Sequence, residues 1–337
     1  MRFISPPYLS QNKSVRSLMV KVLLALLPGV AVYACLIGPA ILLQMVIASA
    51  TALFAEAAML KLRGKPLGPF LSDGSALVTS WLIALTFPPI APWWLTVSGA
   101  LIAIVIAKHL YGGLGQNPFN PAMVAFAACI VSFPALMSQW PSVTLDTRFT
   151  DQILAVLGLS RNLDALTSAT PLDALKTALR ISPETPIATM LSDTKIYGLA
   201  GGRAWECVAA AYFLGGLWLL RCKVIRWHAP AGFLFGVVAL SAACWFFDPG
   251  RFASPLFHTF SGGVLLGAFF IVTDPVSGCA SDMGKMIFGF SAGILAYTIR
   301  VFGGYPDGVA FSVLILNVCA PLIDLLTRPP VFGMKKK

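Results

Sequence analysis

Long apolar runs separated by short polar breaks dominate this chain. The runs hold about 16 to 21 residues, which is the length at which a helix crosses a bilayer and is longer than most strands. The third and eighth runs are the shortest and predict tilted or half-broken helices. The pattern predicts ten membrane helices, at roughly 18–37, 40–60, 74–89, 92–111, 121–137, 204–221, 229–247, 258–273, 286–302 and 307–326.

Composition supports this interpretation. Of the 337 residues, 57% are hydrophobic and only 11% are charged, whereas a soluble domain carries about 25% charged residues. The mean hydropathy is +0.80. These values exclude a disordered chain, a nucleic-acid module and an ordinary cytosolic enzyme, and they predict an all-α integral membrane protein.

The basic residues predict an orientation in the lipid bilayer. Sixteen of the 24 Lys and Arg residues lie near one set of helix ends, and Arg251 and Arg300 lie at the opposite set. The remaining six lie in the long loop 138–203, together with six acidic residues. By the positive-inside rule, both termini are cytoplasmic and the loop is outside. The net charge of +10 therefore orients the chain, and no nucleic-acid partner is expected.

Five predicted helices precede the loop and five follow it. The segment 74–88 (GSALVTSWLIALTFP) is similar to 261–275 (SGGVLLGAFFIVTDP), and 112–126 is similar to 303–311. Five helices per half would give the halves opposite orientations, as in many transport folds; chance similarity of apolar sequence is the alternative. The predicted parts are residues 1–137 (first half), 138–203 (external loop) and 204–337 (second half).

The loop contains the sequence DALTSATPLD at residues 164–173. Taken alone, this is a polar turn followed by a helix that Thr170 caps, with Pro171 in its first turn. Local chemistry favours that structural role.

The same stretch resembles the flavinylation motif Asp-x-x-(Ser/Thr)-(Gly/small)-Ala-Thr of the RnfD/NqrB family, membrane subunits of the Rnf and Na⁺-translocating NADH:quinone reductase complexes. Further similarities cover nearly the whole chain, namely PPY at 6–8, DGSALVT at 73–79, GQNPFNP at 115–121, TDPVS at 273–277 and GGYPDGVAF at 303–311.

The resemblance implies that Thr170 carries FMN through a phosphoester. A threonine hydroxyl is a poor nucleophile without activation, so a periplasmic flavin transferase must supply the base and metal. Ser168 and Ala169 would let that enzyme approach the backbone, and Asp164 would help it to dock or to bind its metal. Ser168 stands where the family often has Gly.

Two Asn-Pro turns precede the fifth predicted helix. Asn120 is expected to cap that helix, with Pro121 in its first turn. The resemblance also implies a non-covalent riboflavin near the cytoplasmic side. Asn117 and Asn120 are therefore proposed riboflavin contacts, with Asp274 as a further candidate; capping alone would also explain the asparagines.

Acidic residues near the membrane are each interpreted by position. Asp73 and Asp307 are expected to cap helix starts, and Asp282 and Asp324 to pair with Lys285 and Arg328. Glu56, with apolar neighbours, is expected to be interfacial and is given no role in ion translocation.

The sequence thus predicts a flavin-carrying subunit of an ion-translocating oxidoreductase (a translocase) in the bacterial inner membrane, coupled to Na⁺ or H⁺. Its expected partners are the Rnf subunits A, B, C, E and G. The chain has no dinucleotide fingerprint or catalytic triad, so NADH binding and turnover by this chain alone are not expected, and no catalytic or metal-ligating residues are predicted. The alternatives are a small-solute channel of urea-channel-like fold and a structural membrane anchor.

Overall fold

A computed structural model describes residues 14–142, 149–159, 166–194, 196–305 and 307–327. Helices dominate these residues, and five of them are long and apolar enough to cross a membrane. The first-half helices are α1 (Val15–Leu36), α2 (Ala40–Leu62), α3 (Leu67–Leu71), α4 (Ser75–Thr86), α5 (Trp93–Leu101) continued by the π-helix Ile102–His109, α6 (Pro121–Ser132) and α7 (Pro134–Met137).

The 138–203 segment forms short elements and not a bare loop. A two-residue strand β1 (Trp140–Pro141) pairs antiparallel with β2 (Thr167–Ser168). The helices here are α8 (Phe149–Val156), α9 (Pro171–Ile181) and α10 (Ile187–Met190).

The second half repeats the pattern of long and broken helices. It contains α11 (Trp205–Arg221), α12 (His228–Phe247), α13 (Pro255–Phe260), α14 (Val264–Leu266) continued by the π-helix Gly267–Ile271, α15 (Asp282–Phe302) and α16 (Val309–Thr327). The prediction of a helical membrane protein is therefore confirmed. A helical segment occupies each of the ten predicted spans.

The third and eighth spans are short or broken, as predicted. Gly74, at φ 80°, precedes α4, and Gly262, at φ 68°, lies between α13 and α14. Both backbones are in the left-handed region, which glycine adopts without the steric cost of a Cβ atom. Each broken helix ends at a Thr-x-Pro sequence, where Thr86 and Thr273 each donate to the carbonyl four residues earlier, at 2.8 Å.

Helices of the two halves pack against one another at equivalent places. The first helices of each half, α1 and α11, lie side by side, and so do the fifth helices, α6 and α16. This is the pairing that an inverted repeat predicts. Within the second half, α12 and α15 approach closely along Gly232/Gly236 and Gly289/Gly293, the small-xxx-small spacing that lets membrane helices meet backbone to backbone.

The outer surface of the bundle is apolar. Large side chains on the long helices are exposed, among them Phe54 at 76%, Phe246 at 82% and Phe247 at 86%. In water, an apolar surface of this kind would be an association site. In a bilayer, it is the surface expected to face the lipid hydrocarbon. The buried core is correspondingly rich in alanine and glycine.

Candidate functional site

Thr170 lies at the start of α9. Its Oγ1 accepts from the backbone N–H of Asp173 at 3.2 Å and donates to the Asp173 carboxylate at 2.8 Å. Pro171 occupies the first turn, where its fixed φ suits a helix and its missing N–H costs nothing. The predicted cap is therefore confirmed.

The segment before Thr170 is held by the β1–β2 pair, in which Ser168 lies opposite Trp140. Ser168 and Ala169 are both exposed, and neither lines a cavity that Thr170 lines. The fourth predicted motif residue, Asp164, lies outside the described residues.

Helix α9 is anchored to the second half. The Lys176 ammonium donates to the carbonyl oxygens of Arg300, Gly303 and Tyr305, at 3.0, 2.6 and 2.8 Å. On the apolar side of α9, Leu172 and Leu175 belong to a small buried cluster that includes residues of α10 and α13. The position of Thr170 is thus fixed by both strand pairing and helix packing.

Asp173 is a further residue of the Thr170 site that was not predicted from the sequence. Its carboxylate bonds to Thr170, and burial raises its pKa above the ordinary value, with a further upward contribution from Asp307 and opposing ones from Thr170 and Lys176. Burial also lowers the pKa of Lys176. The signal was the Thr-x-x-Asp spacing, which is close to the capping-box pattern.

Thr170 lines a cavity, here called the Thr170 cavity, whose space of about 1070 Å³ includes its opening to solvent. Its wall is largely apolar and includes aromatic rings, with Tyr33 and Trp205 edge-to-face at 5.7 Å and Trp140 and Trp205 at 5.4 Å. The aromatic lining residues are Tyr33, Phe126, Trp140, Trp205 and Tyr212.

A second cavity, the Asn120 cavity, brings together Asn117, Asn120 and Asp274. The sequence had indicated these residues from separate segments. The space of this cavity, about 950 Å³, includes its opening to solvent. Its wall is mostly apolar but more polar than that of the first cavity, because Ser75, Thr79, Lys108 and Thr273 also line it.

The polar groups of the Asn120 cavity are partly engaged by the protein itself. Asn120 Oδ1 accepts from the N–H groups of Ala122 and Met123 at 3.1 and 3.3 Å, which confirms the predicted cap. Asn117 Nδ2 donates to the Phe119 carbonyl at 2.9 Å. Asp274 accepts from the Val276 N–H and the Ser277 hydroxyl at 3.1 and 2.7 Å. Within the described part of the chain, Asn117 Oδ1 and Asn120 Nδ2 make no hydrogen bond.

Glu56, expected to be interfacial, is buried within the helix bundle. Its side chain is buried, and the Lys108 ammonium donates to both of its carboxylate oxygens at 2.9 and 2.8 Å and to the Ser75 hydroxyl at 2.9 Å. His109 Nε2 lies 3.2 Å from the same carboxylate. Lys108, counted with the charges near the cytoplasmic helix ends, is therefore a buried ion-pair partner. The pair was missed because its members are 52 positions apart.

For the other acidic residues, the predicted helix-start caps are observed and the predicted ion pair of Asp282 is not. Asp73 accepts from the Ser75 N–H at 2.7 Å, and Asp307 from the Val309 N–H at 3.3 Å. Asp307 also accepts from Arg300 and from the Gly263 N–H. Contrary to prediction, Asp282 pairs with Arg226, while Lys285 bonds to the Ala280 carbonyl. Asp324 accepts from the Ala280 N–H; its predicted partner Arg328 lies outside the described residues.

The two cavities lie toward opposite ends of the same helices. Along α1, Met19 lines the Asn120 cavity and Tyr33 the Thr170 cavity, a separation of about 20 Å along a helix axis. The π-helix Gly267–Ile271 contributes to both walls: Phe270 lines the Asn120 cavity and Ile271 lines the Thr170 cavity. The repeat-equivalent residues Thr86 and Thr273 also line opposite cavities, as an inverted repeat predicts.

The amino-acid sequence is similar to known proteins along nearly its whole length. The model of the NQR2, RnfD, RnfE family matches residues 3–333. The chain is 43% identical over 350 residues to the D subunit of the ion-translocating oxidoreductase complex of Escherichia fergusonii, with 99% of each chain covered. It is 47% identical over 331 residues to the protein of that name from Pseudomonas aeruginosa, covering 98% of this chain and 95% of the relative. The Yersinia pseudotuberculosis protein is 44% identical, with 99% of each chain covered.

Proposed function

The chain belongs to the NQR2, RnfD, RnfE family, and from this premise we propose that it is the flavin-carrying membrane subunit of an ion-translocating electron transport complex. Its relatives are named as the D subunit of an ion-translocating oxidoreductase complex, and the similarity runs along essentially their whole length. In this role the chain holds flavins at fixed positions, and the electron chemistry belongs to the cofactor.

The observation that carries the proposal is the position of Thr170. The expected attachment residue is partly exposed, caps α9 with a defined geometry, and lines a largely apolar cavity. A threonine at this position serves two requirements: a transferase can reach it, and a group attached to it has an adjacent aromatic cavity to occupy.

The residues of the Thr170 cavity fit FMN. Aromatic side chains offer faces and edges to a flat ring system, and two buried tyrosine hydroxyls in the wall have no hydrogen-bond partner among the described residues. Thr170 would hold the phosphate end. The bound flavin would supply reversible electron transfer.

The Asn120 cavity is the proposed site of a non-covalent riboflavin. Its uncommitted amide atoms on Asn117 and Asn120 offer one acceptor and one donor group. A largely apolar wall with a few placed polar groups suits a ligand that directional hydrogen bonds orient. Two flavins toward opposite ends of α1 and α11 would provide stepping points for electrons across the bilayer.

The proposal extends to location and partners. The chain would reside in the bacterial inner membrane with both termini cytoplasmic and the 138–203 segment periplasmic. It would assemble with the Rnf subunits A, B, C, E and G, receive FMN from a periplasmic flavin transferase, and take part in coupling electron flow to Na⁺ or H⁺ transport without binding NADH itself.

Covalent attachment is tested by in-gel fluorescence. The protein is co-expressed with a competent flavin transferase, denatured in acid and separated on a gel under ultraviolet light. We expect a fluorescent band that disappears in Thr170→Ala. Thr177→Ala, on the exposed side of the same helix, is the matched control and should retain the band. A dark wild-type band would contradict the proposal and favour a solute channel.

The second flavin is tested on the Thr170→Ala protein, which lacks the covalent one. Ligands released from the purified protein are identified by chromatography and mass spectrometry. We expect riboflavin at close to one per chain; its absence would remove the Asn120 cavity from the proposal while leaving the Thr170 attachment intact.

A further inference from the structure

Two tyrosines in the wall of the Thr170 cavity have hydroxyl groups that bond to nothing in the described fold. Tyr33 of α1 and Tyr212 of α11 are 2% and 5% exposed, and both line the cavity. Neither hydroxyl has a hydrogen-bond partner within the part of the chain that the structure describes. Buried polar groups are nearly always paired, so each unpaired group requires an explanation.

The two rings are firmly positioned, which argues against accidental placement. The Tyr212 ring packs so closely against Gly29 of α1 that an added Cβ there would overlap it, and it meets Phe270 edge-to-face at 6.2 Å. Tyr33 meets Trp205 edge-to-face at 5.7 Å. Tyrosine thus occupies tightly packed positions where phenylalanine would fill nearly the same space without an unpaired hydroxyl.

The surroundings indicate the chemistry of the missing partner. The wall is otherwise largely apolar, and its other polar side chains are Thr86, Thr170, Asp173 and Asp307. This suits a mostly apolar ligand with hydrogen-bond acceptors where it meets α1 and α11. An isoalloxazine ring has this character: its flat ring system carries carbonyl oxygens and ring nitrogens along one edge.

We propose that Tyr33 and Tyr212 donate hydrogen bonds to the polar edge of the flavin ring attached to Thr170, and that they raise its reduction potential. The inference rests on the proposed function and adds positioning residues to that site. Reduction increases the electron density on this edge, and hydrogen bonds to a more negative acceptor are stronger. The phenols therefore favour the reduced flavin over the oxidised one.

The test uses Tyr33→Phe, Tyr212→Phe and the double variant in the full chain. Each substitution removes one oxygen and keeps the ring, so packing is retained; elution as a single size-exclusion peak checks this. Tyr297→Phe is the matched control, because Tyr297 is also buried but does not line the Thr170 cavity.

Gel fluorescence is recorded first, and it tests only the covalent attachment. The midpoint potential of the attached flavin is then measured by potentiometric titration of visible absorbance, with the Thr170→Ala protein as the subtracted reference. We expect each cavity variant to keep its fluorescent band and to have a lower flavin midpoint potential than the wild type. A tenfold change in the two-electron equilibrium corresponds to about 30 mV. Tyr297→Phe should leave the midpoint potential unchanged.

The outcomes separate the two proposals. A wild-type band without fluorescence overturns the proposed function. A fluorescent double variant whose midpoint potential and visible spectrum equal those of the wild type overturns the role of the tyrosines while the attachment at Thr170 stands. A shift of equal size in Tyr297→Phe would likewise overturn it, since the effect would not come from the cavity.

Discussion

The two cavities differ in how their walls are built. The Thr170 cavity is bounded largely by apolar side chains, five of them aromatic, together with two carboxylates and two tyrosine hydroxyls that are unpaired among the residues that the structure describes. The Asn120 cavity is also lined mostly by apolar residues, but its wall includes two amides, a carboxylate and an ion-paired lysine, most of whose polar atoms are already bonded to the protein. An aromatic wall gives contact area with little directional selectivity, and this matches a cofactor fixed by a covalent bond. Polar groups with fixed directions in an otherwise apolar wall match a ligand held by hydrogen bonds alone.

The largest expected effect concerns the ion pair beside the Asn120 cavity. Glu56→Ala leaves the Lys108 ammonium buried without its counter-ion, so we expect a loss of about 3–5 kcal/mol in stability. Thermal unfolding in detergent measures it. In contrast, Glu56→Ala/Lys108→Met removes both charges and should recover much of the loss.

Asp282→Ala serves as the control for that experiment, because it breaks the exposed pair with Arg226 and should change the unfolding temperature little. If Glu56→Ala and Asp282→Ala behaved alike, the buried pair would not be a structural element of this cavity wall.

The next effect concerns the packing of the Thr170 cavity. Gly29→Ala places a methyl group within the space of the Tyr212 ring, so the ring or α1 must move. We expect a loss of about 1–3 kcal/mol from overpacking. Gly68→Ala, where a methyl group meets no atom within 4 Å, is the matched control and should unfold at the wild-type temperature. An unchanged unfolding temperature in Gly29→Ala would mean that the cavity wall adjusts to the added methyl group without loss of stability.

Asn120 allows capping and ligand contact to be separated. Asn120→Ala removes the cap of α6 and should cost about 1 kcal/mol. Asn120→Asp keeps an oxygen at the cap but has no amide donor. We expect both variants to lose riboflavin on purification and only the alanine variant to lose stability. Riboflavin retained at the wild-type level in Asn120→Asp would restrict this residue to its capping role.

The smallest expected effect is a dependence of the stability of α9 on pH. Since burial raises the pKa of Asp173 in the folded protein, the folded state binds more protons than the unfolded state between the ordinary carboxyl value of about 3.9 and the raised one. The stability of α9 should therefore fall as the pH rises through this window and level off above it. Limited proteolysis of the 138–203 segment measures this, and Asp173→Asn should abolish the dependence.

Features with a local physical cause could be predicted from the sequence. The helix caps at Asn120 and Thr170 were correct because a cap depends on a few adjacent residues and a following proline. The third and eighth helices were predicted to be short or broken because their apolar runs are the shortest, which is also a local property. In contrast, the partners of Glu56, Asp282 and Lys176 lie on distant segments, and their pairing depends on which helices are neighbours.

The sequence by itself determined a helical membrane protein, its family, the capped turn at Thr170 and the candidate residues at 117, 120 and 274. Hydrophobic run length and turn chemistry are local properties, and a family motif is read directly from the residues. Only the tertiary structure decided that the three candidates share a cavity, that Thr170 lines an aromatic one, and that Lys108 pairs with Glu56. Cavities and buried pairs exist only where separate helices meet, because packing brings together side chains that are far apart in sequence.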